Sequence, residues 1–208
     1  MGKCMSFEVV DLNTNPDAHH LLIKFKSFIK EHCYQDPLYE NYENLDLKDF
    51  ICLTAVIDNN NIVALSGVQH KPERWGQNTV RMSTRFWMHP KYRINALSKY
   101  DPTQRFYFNS QLMIPHQLNY LKKLGVKFAI ITREGNYRRS FNKFIELVNY
   151  HNNTNFSVLN GIFNVCNHMP TVPASCQQIV AVHSFDNTLF DNELANLHKE
   201  NKLSLINS

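Results

Sequence analysis

The sequence predicts an α/β fold, a mixed central sheet flanked by helices, in one domain over residues 1–186 with a tail over residues 187–208 that has room for one short helix. Three observations carry that expectation. Ile51 to Ile57 and Ile62 to Val68 are β-rich runs separated by Asp58-Asn59-Asn60-Asn61, residues that tolerate turn geometry, so they predict a hairpin. Val80 to His89 alternates with the period of a strand, Val80, Met82, Thr84, Phe86 and Met88 on one face and Arg81, Ser83, Arg85, Trp87 and His89 on the other. Val126 to Thr132 is a continuous apolar run between two stretches of helical spacing, and a strand, crossover helix and strand in succession pair in parallel.

Composition bounds the rest. With 208 residues, 43% hydrophobic and 19% charged, the chain buries enough apolar surface for one core, which excludes disorder and fibrous repeats. The net charge of +4 comes without a Lys/Arg block, so a nucleic-acid tail is not expected, whereas an anionic cofactor is compatible. Cys4, Cys33, Cys52, Cys166 and Cys176 are odd in number and include no C-x-x-C pair, which suits a reducing compartment. No zinc-ligand spacing or H-E-x-x-H is present, and no metal is expected. No run reaches the ~18 apolar residues of a membrane span, and the N-terminus lacks the apolar stretch of a signal peptide. Met1-Gly2-Lys3-Cys4-Met5-Ser6 fits the short myristoylation pattern, but Phe7-Glu8-Val9-Val10 follows at once as strand. A cytoplasmic protein is expected, with no membrane partner; the oligomeric state is not legible.

In chain order, Ser6 to Leu12 reads as the first strand. Asn15-Pro16-Asp17 then starts a helix carrying Leu21, Leu22, Phe25, Phe28 and Ile29, which Asp36-Pro37 terminates, and Leu45 to Phe50 suits a short second helix. The hairpin and the long strand follow, and Pro90 stops the latter. Leu112, Ile114, Leu118, Leu121 and Leu124 mark a helix that Gly125 caps and Pro115 should kink. After Val126 to Thr132, Arg133-Glu134-Gly135-Asn136 turns into a helix bearing Phe141, Phe144, Ile145 and Val148. Phe156 to Val165 and Gln177 to His183 read as the last strands, joined by a loop at His168 to Pro173. The order is β-α-(α)-β-β-β-α-β-α-β-β.

That order, over nearly the whole chain, resembles the GCN5-related N-acetyltransferase (GNAT) superfamily. In the family the long strand ends in V-x-P-x-Y-R-G-x-G-x-G; here Met88-His89-Pro90-Lys91-Tyr92-Arg93-Ile94-Asn95-Ala96-Leu97-Ser98 stands in its place. Ala96 and Ser98 replace glycines whose purpose is to let helix N-terminal N–H groups approach the pyrophosphate of acetyl-CoA. Lys99 to Phe108 intervenes before the next helix, and Asn142 and Lys143 stand where the family usually has a general-acid tyrosine. Such departures resemble divergent acetyltransferase-like proteins, some of them phage-encoded.

The resemblance implies acetyl-CoA as acyl donor, held by main-chain groups near Trp87 and Met88, by Arg93, Ala96 and Ser98, and by Asn136 at the following helix start. Its implied function is acyl-CoA-dependent N-acyltransfer to an amine of a small molecule or peptide; the alternative is a non-catalytic GNAT-like binding or structural protein. Transfer to an amine needs a base for the nucleophile and an acid for the departing thiolate. His89, which titrates near neutral pH at the strand end, is the candidate base, with Glu134 as the other candidate, and Tyr137 the candidate acid. Arg81 and Arg85 recur on the His89 face and would bind an anionic acceptor group; a solvated sheet face is the other reading, which Trp87 in the same row opposes. Arg133, Arg138 and Arg139 would meet coenzyme phosphates or simply solvate a helix start.

Overall fold

A computed structural model describes residues 7–33, 42–70, 79–92, 107–161, 163–164 and 177–186. The chain divides into two compact units, Met1–Gln69 with Ser83–Tyr120, and His70–Met82 with Leu121–Ser208. The tail from Asn187 and the loop at His168 to Pro173 lie outside the described residues.

The first unit begins with β1 (Glu8–Asp11) and α1 (Ala18–His32). The predicted second helix is a single 3-10 turn, Leu47–Asp49, whose Asp46 side chain caps the N–H of Lys48. β2 (Cys52–Asp58) and β3 (Asn61–His70) form the predicted hairpin. Asn59 and Asn60 both hold positive φ, 49° and 59°, the pair of left-handed residues a tight two-residue turn requires. Asparagine tolerates that region, so the run of turn residues acts through conformation. β4 (Thr79–Met88) follows, and the first unit's strand order is β1-β2-β3-β4.

Period two along the strands divides this unit's core. Leu53, Ala55, Ile57, Leu65 and Trp87 pack with Leu21, Leu22, Phe25 and Ile29 of α1. Val56, Ala64 and Met88 pack instead with Tyr92, Phe108 and Met113. Alternate strand residues therefore serve two apolar layers, one closed by α1 and the other by the segment after β4.

The expected helix from Leu112 to Leu124 is resolved differently. A π-type turn, Tyr107–Met113, leads into α2 (Ile114–Lys123), which carries Pro115 as its second residue. Proline in a first helical turn removes an N–H that has no partner within that helix, so the predicted kink gives way to a change of helix type just before it. Gly125 (φ 70°) caps α2, with Gly125 N–H donating to Lys122 O at 3.2 Å and Val126 N–H to Leu121 O at 3.3 Å.

In the second unit, β5 (Phe128–Glu134) pairs in parallel with the start of β4, Thr79 to Arg81 opposite Phe128 to Ile130, as predicted. A 3-10 turn, Gly135–Tyr137, then leads into α3 (Arg138–Asn152), which buries Phe141, Phe144, Ile145 and Val148, the four positions its spacing marked. The run from Phe156 is two short strands, β6 (Ser157–Val158) and β7 (Phe163–Asn164). Both pair antiparallel with β8 (Gln177–Ser184), which also pairs antiparallel with β5. The result is the mixed α/β sheet with flanking helices that the element order implied. No helix among the described residues is long and apolar enough to cross a membrane.

Candidate functional site

β4 is interrupted. Its ladder with β5 ends at Arg81, and Ser83 takes φ 56°, a left-handed conformation rare for a non-glycine residue. What over-determines it is a polar cluster in the first unit. Gln117 of α2, fully buried, accepts from the Ser83 N–H at 3.4 Å and donates through Nε2 to Ser66 O at 3.1 Å and Ser66 Oγ at 3.3 Å. Asn109, in the π-type turn, donates through Nδ2 to Ser83 Oγ at 2.7 Å. Asn109 is 7% exposed, and its Oδ1 has no partner among the described residues. One strand residue further on, the Thr84 hydroxyl donates to Gly67 O at 3.0 Å.

The cluster continues across the sheet as a polar row. Asp11 pairs opposite Thr54, and Thr54 opposite Ser66. Cys52 Sγ lies 3.4 Å from Thr54 Oγ1, and burial, with a smaller push from the Asp11 carboxylate, raises its thiol to about 12. Such a group stays protonated at neutral pH and is no nucleophile. Sequence reasoning missed Ser66, Ser83, Asn109 and Gln117; the available signal was a buried-strand run carrying Thr54 and Ser66 at positions where apolar neighbours predict core.

At the far end of β4, His89 stacks on Phe28 of α1, ring centroids 4.5 Å apart, and meets Trp87 and Tyr92 edge-on at 6.0 Å each. The Lys91 N–H donates to His89 Nδ1 at 3.0 Å, which fixes the neutral tautomer with hydrogen on Nε2. The Tyr92 hydroxyl donates to Asp58 Oδ2 at 2.8 Å; burial, then this carboxylate, push the phenol up to about 12. Phe28, Asp58, His89, Lys91 and Tyr92 line a cavity of about 340 Å³ against α1 and the β2–β3 turn. Trp87 and Met88 are core side chains, 1% and 2% exposed, so only their main chains are candidates for ligand contact. The Phe86 carbonyl accepts from the buried Tyr42 hydroxyl at 3.2 Å.

Between Arg81 and His89, which the sequence pattern placed in one row with Arg85, Ser83 takes the left-handed conformation. Arg81 belongs to the second unit, where its Nη2 donates to Gln178 Oε1 at 2.9 Å. The Arg85 and Asn136 side chains, and Arg93, Ala96 and Ser98 entirely, lie outside the described residues. Also in the second unit, the Arg133 guanidinium sits 5.0 Å over the ring of Tyr137, which is 49% exposed. Glu134, the last residue of β5, is exposed. Arg138 Nη2 donates to Gly161 O at 2.7 Å, and Arg139 is exposed. No group of three or more His, Cys, Asp or Glu suited to a metal ion occurs among the described residues.

No family model matches the chain, and no curated protein matches it. Solved structures do. A protein assigned to the GNAT acetyltransferase family from Desulfovibrio desulfuricans is similar with a TM-score of 0.51 at 7% identity, over 86% of this chain and 99% of that one. Aminoglycoside 6'-acetyltransferase type Ii is similar with a TM-score of 0.50 at 11% identity, over 86% of this chain and 97% of that one. At these identities the likeness shows the fold.

Proposed function

We propose, starting from the acetyltransferase fold, that the protein is an acyl-CoA-dependent N-acyltransferase acting on an amine of a small molecule or peptide. The observation that carries this reading lies within the first unit: β4 takes a left-handed residue, Ser83, held by buried Gln117 and Asn109. Strain of this kind persists where neighbouring groups over-determine it, and it concentrates at ligand clamps. Asn109 Oδ1 is a buried acceptor lacking a protein donor among the described residues, at a cost of about 1–3 kcal/mol that a ligand N–H would relieve. The amides of a pantetheine arm are such donors, which supports acetyl-CoA as the occupant.

Bound acetyl-CoA supplies a thioester whose carbonyl carbon the amine attacks. The C–S bond breaks, the thiolate leaves, and the nitrogen loses a proton. His89 Nδ1 already accepts a main-chain N–H; within the second unit, Glu134, exposed at the end of β5, and Tyr137, exposed at the turn that follows, are the candidate base and acid. The Arg133 guanidinium over the Tyr137 ring restricts where that phenol points.

The alternative, a non-catalytic acetyltransferase-like binding or structural protein, draws support from the Tyr42 hydroxyl on the Phe86 carbonyl, since that β4 acceptor is already engaged. Incubation with acetyl-CoA and a panel of polyamines, aminoglycosides and peptide N-termini tests the choice. Release of coenzyme A with N-acetylated product supports the enzyme; donor consumption no faster than buffer with every amine overturns it.

A further inference from the structure

The cavity beside His89 has a chemistry that amine acylation does not use. Its walls are aromatic: Phe25 and Phe28 from α1, His89 stacked on Phe28, and Tyr92. Two exposed lysines stand at it, Lys24 and Lys91, against one carboxylate, Asp58. That carboxylate is engaged on both oxygens, Oδ1 by Asn59 Nδ2 at 2.9 Å and Oδ2 by the Tyr92 hydroxyl at 2.8 Å. Lys24 Nζ reaches the Asn60 carbonyl at 3.4 Å, and Lys91 Nζ lies 5.6 Å from the Tyr92 ring centroid. Neither lysine forms an ion pair among the described residues.

Asn59 and Asn61 complete the rim from the β2–β3 turn. Asn59 directs its amide nitrogen to Asp58 and Asn61 directs its own to the Asn59 carbonyl at 2.9 Å, leaving the side-chain Oδ1 of each as an acceptor for a ligand. The volume, about 340 Å³, falls in the range of sites that enclose a small organic ligand rather than a lone ion. All these groups belong to the first unit.

We propose that this cavity is a nucleoside monophosphate site. The base lies against the aromatic wall, its exocyclic amino group meeting Asn59 or Asn61, and the phosphate takes Lys24 and Lys91. Stacking supplies sequence-tolerant attraction for the ring, and a lysine pair supplies charge-assisted hydrogen bonds to the dianion. The proposal does not depend on acyl transfer.

Calorimetric titration of the full chain with adenosine 5'-monophosphate tests it, with adenosine and inorganic phosphate as separate arms and each titration repeated under saturating acetyl-CoA. The nucleotide should bind at least about tenfold more tightly than either fragment, and acetyl-CoA should not displace it. Lys24→Gln and Lys91→Gln should each weaken nucleotide binding by about tenfold or more, with the thermal midpoint unchanged because both side chains are exposed. No heat with the nucleotide at about 1 mM, equal binding to both fragments, insensitivity to both lysine variants, or displacement by acetyl-CoA would each overturn the assignment.

Discussion

The main-chain N–H of Lys91 donates to the ring Nδ1 of His89 at 3.0 Å, closing a local turn in which Tyr92 N–H also reaches His89 O at 2.9 Å. The imidazole is thereby used as an acceptor by its own backbone. To accept a proton at Nδ1, it would have to surrender that bond. His89→Asn, whose Oδ1 can take the same N–H, should therefore retain N-acyltransfer within about threefold, while loss of a general base would lower it by about a hundredfold or more. Steady-state rates of the two proteins decide between these outcomes.

Glu134→Gln is expected to behave in the opposite way. Removing the proposed proton acceptor while keeping size and polarity should lower turnover by about a hundredfold with acetyl-CoA binding preserved. Unchanged turnover at saturating amine would return the base role to another group.

Gly67 lacks room for any side chain. A Cβ there would sit 2.3 Å from Phe50 Cδ1 and 3.2 Å from Thr84 Oγ1. Gly67→Ala should destabilise the fold by about 1–3 kcal/mol in urea unfolding, and pairing it with Phe50→Leu should recover part of the loss. Additive effects of the two substitutions would mean that the ring and the new methyl do not meet.

Gln117 is the hub of the buried cluster, touching Ser66 and Ser83 at once. Gln117→Leu leaves those groups buried without it, which should lower the unfolding free energy by about 1–3 kcal/mol. If the Ser83 strain serves donor binding, affinity for acetyl-CoA should fall in the same variant.

Much of this fold is legible in the sequence because the signals are local. The asparagines of the β2–β3 turn act through their own φ angles, and the buried face of α3 follows from helical spacing alone. The site is less legible. Ser83 carries no residue-level mark of a left-handed conformation, and Gln117 reads as an ordinary polar helix position until α2 places it against Ser66 and Ser83.

Alkaline pH should weaken the fold. The folded-state thiol of Cys52 is raised from about 9 to about 12 by burial, and the Tyr92 phenol from about 10 to about 12 by burial and the Asp58 carboxylate. Between those values the unfolded chain has released protons that the folded chain retains, so unfolding free energy falls as pH rises from about 9 to about 12. Cys52→Ala should flatten the slope, measured by urea unfolding at stepped pH; an identical slope would remove Cys52 as a contributor.

The left-handed Ser83 of β4, with the Asn109 beside it, is proposed to serve an acyl-CoA. Isothermal titration of the protein with acetyl-CoA addresses it most directly, with Asn109→Ala alongside. Saturable one-to-one binding is expected, with a dissociation constant of about 1 µM to 1 mM that weakens about tenfold in the variant. Absence of any binding heat at about 1 mM donor, from a protein whose unfolding remains cooperative, would contradict it.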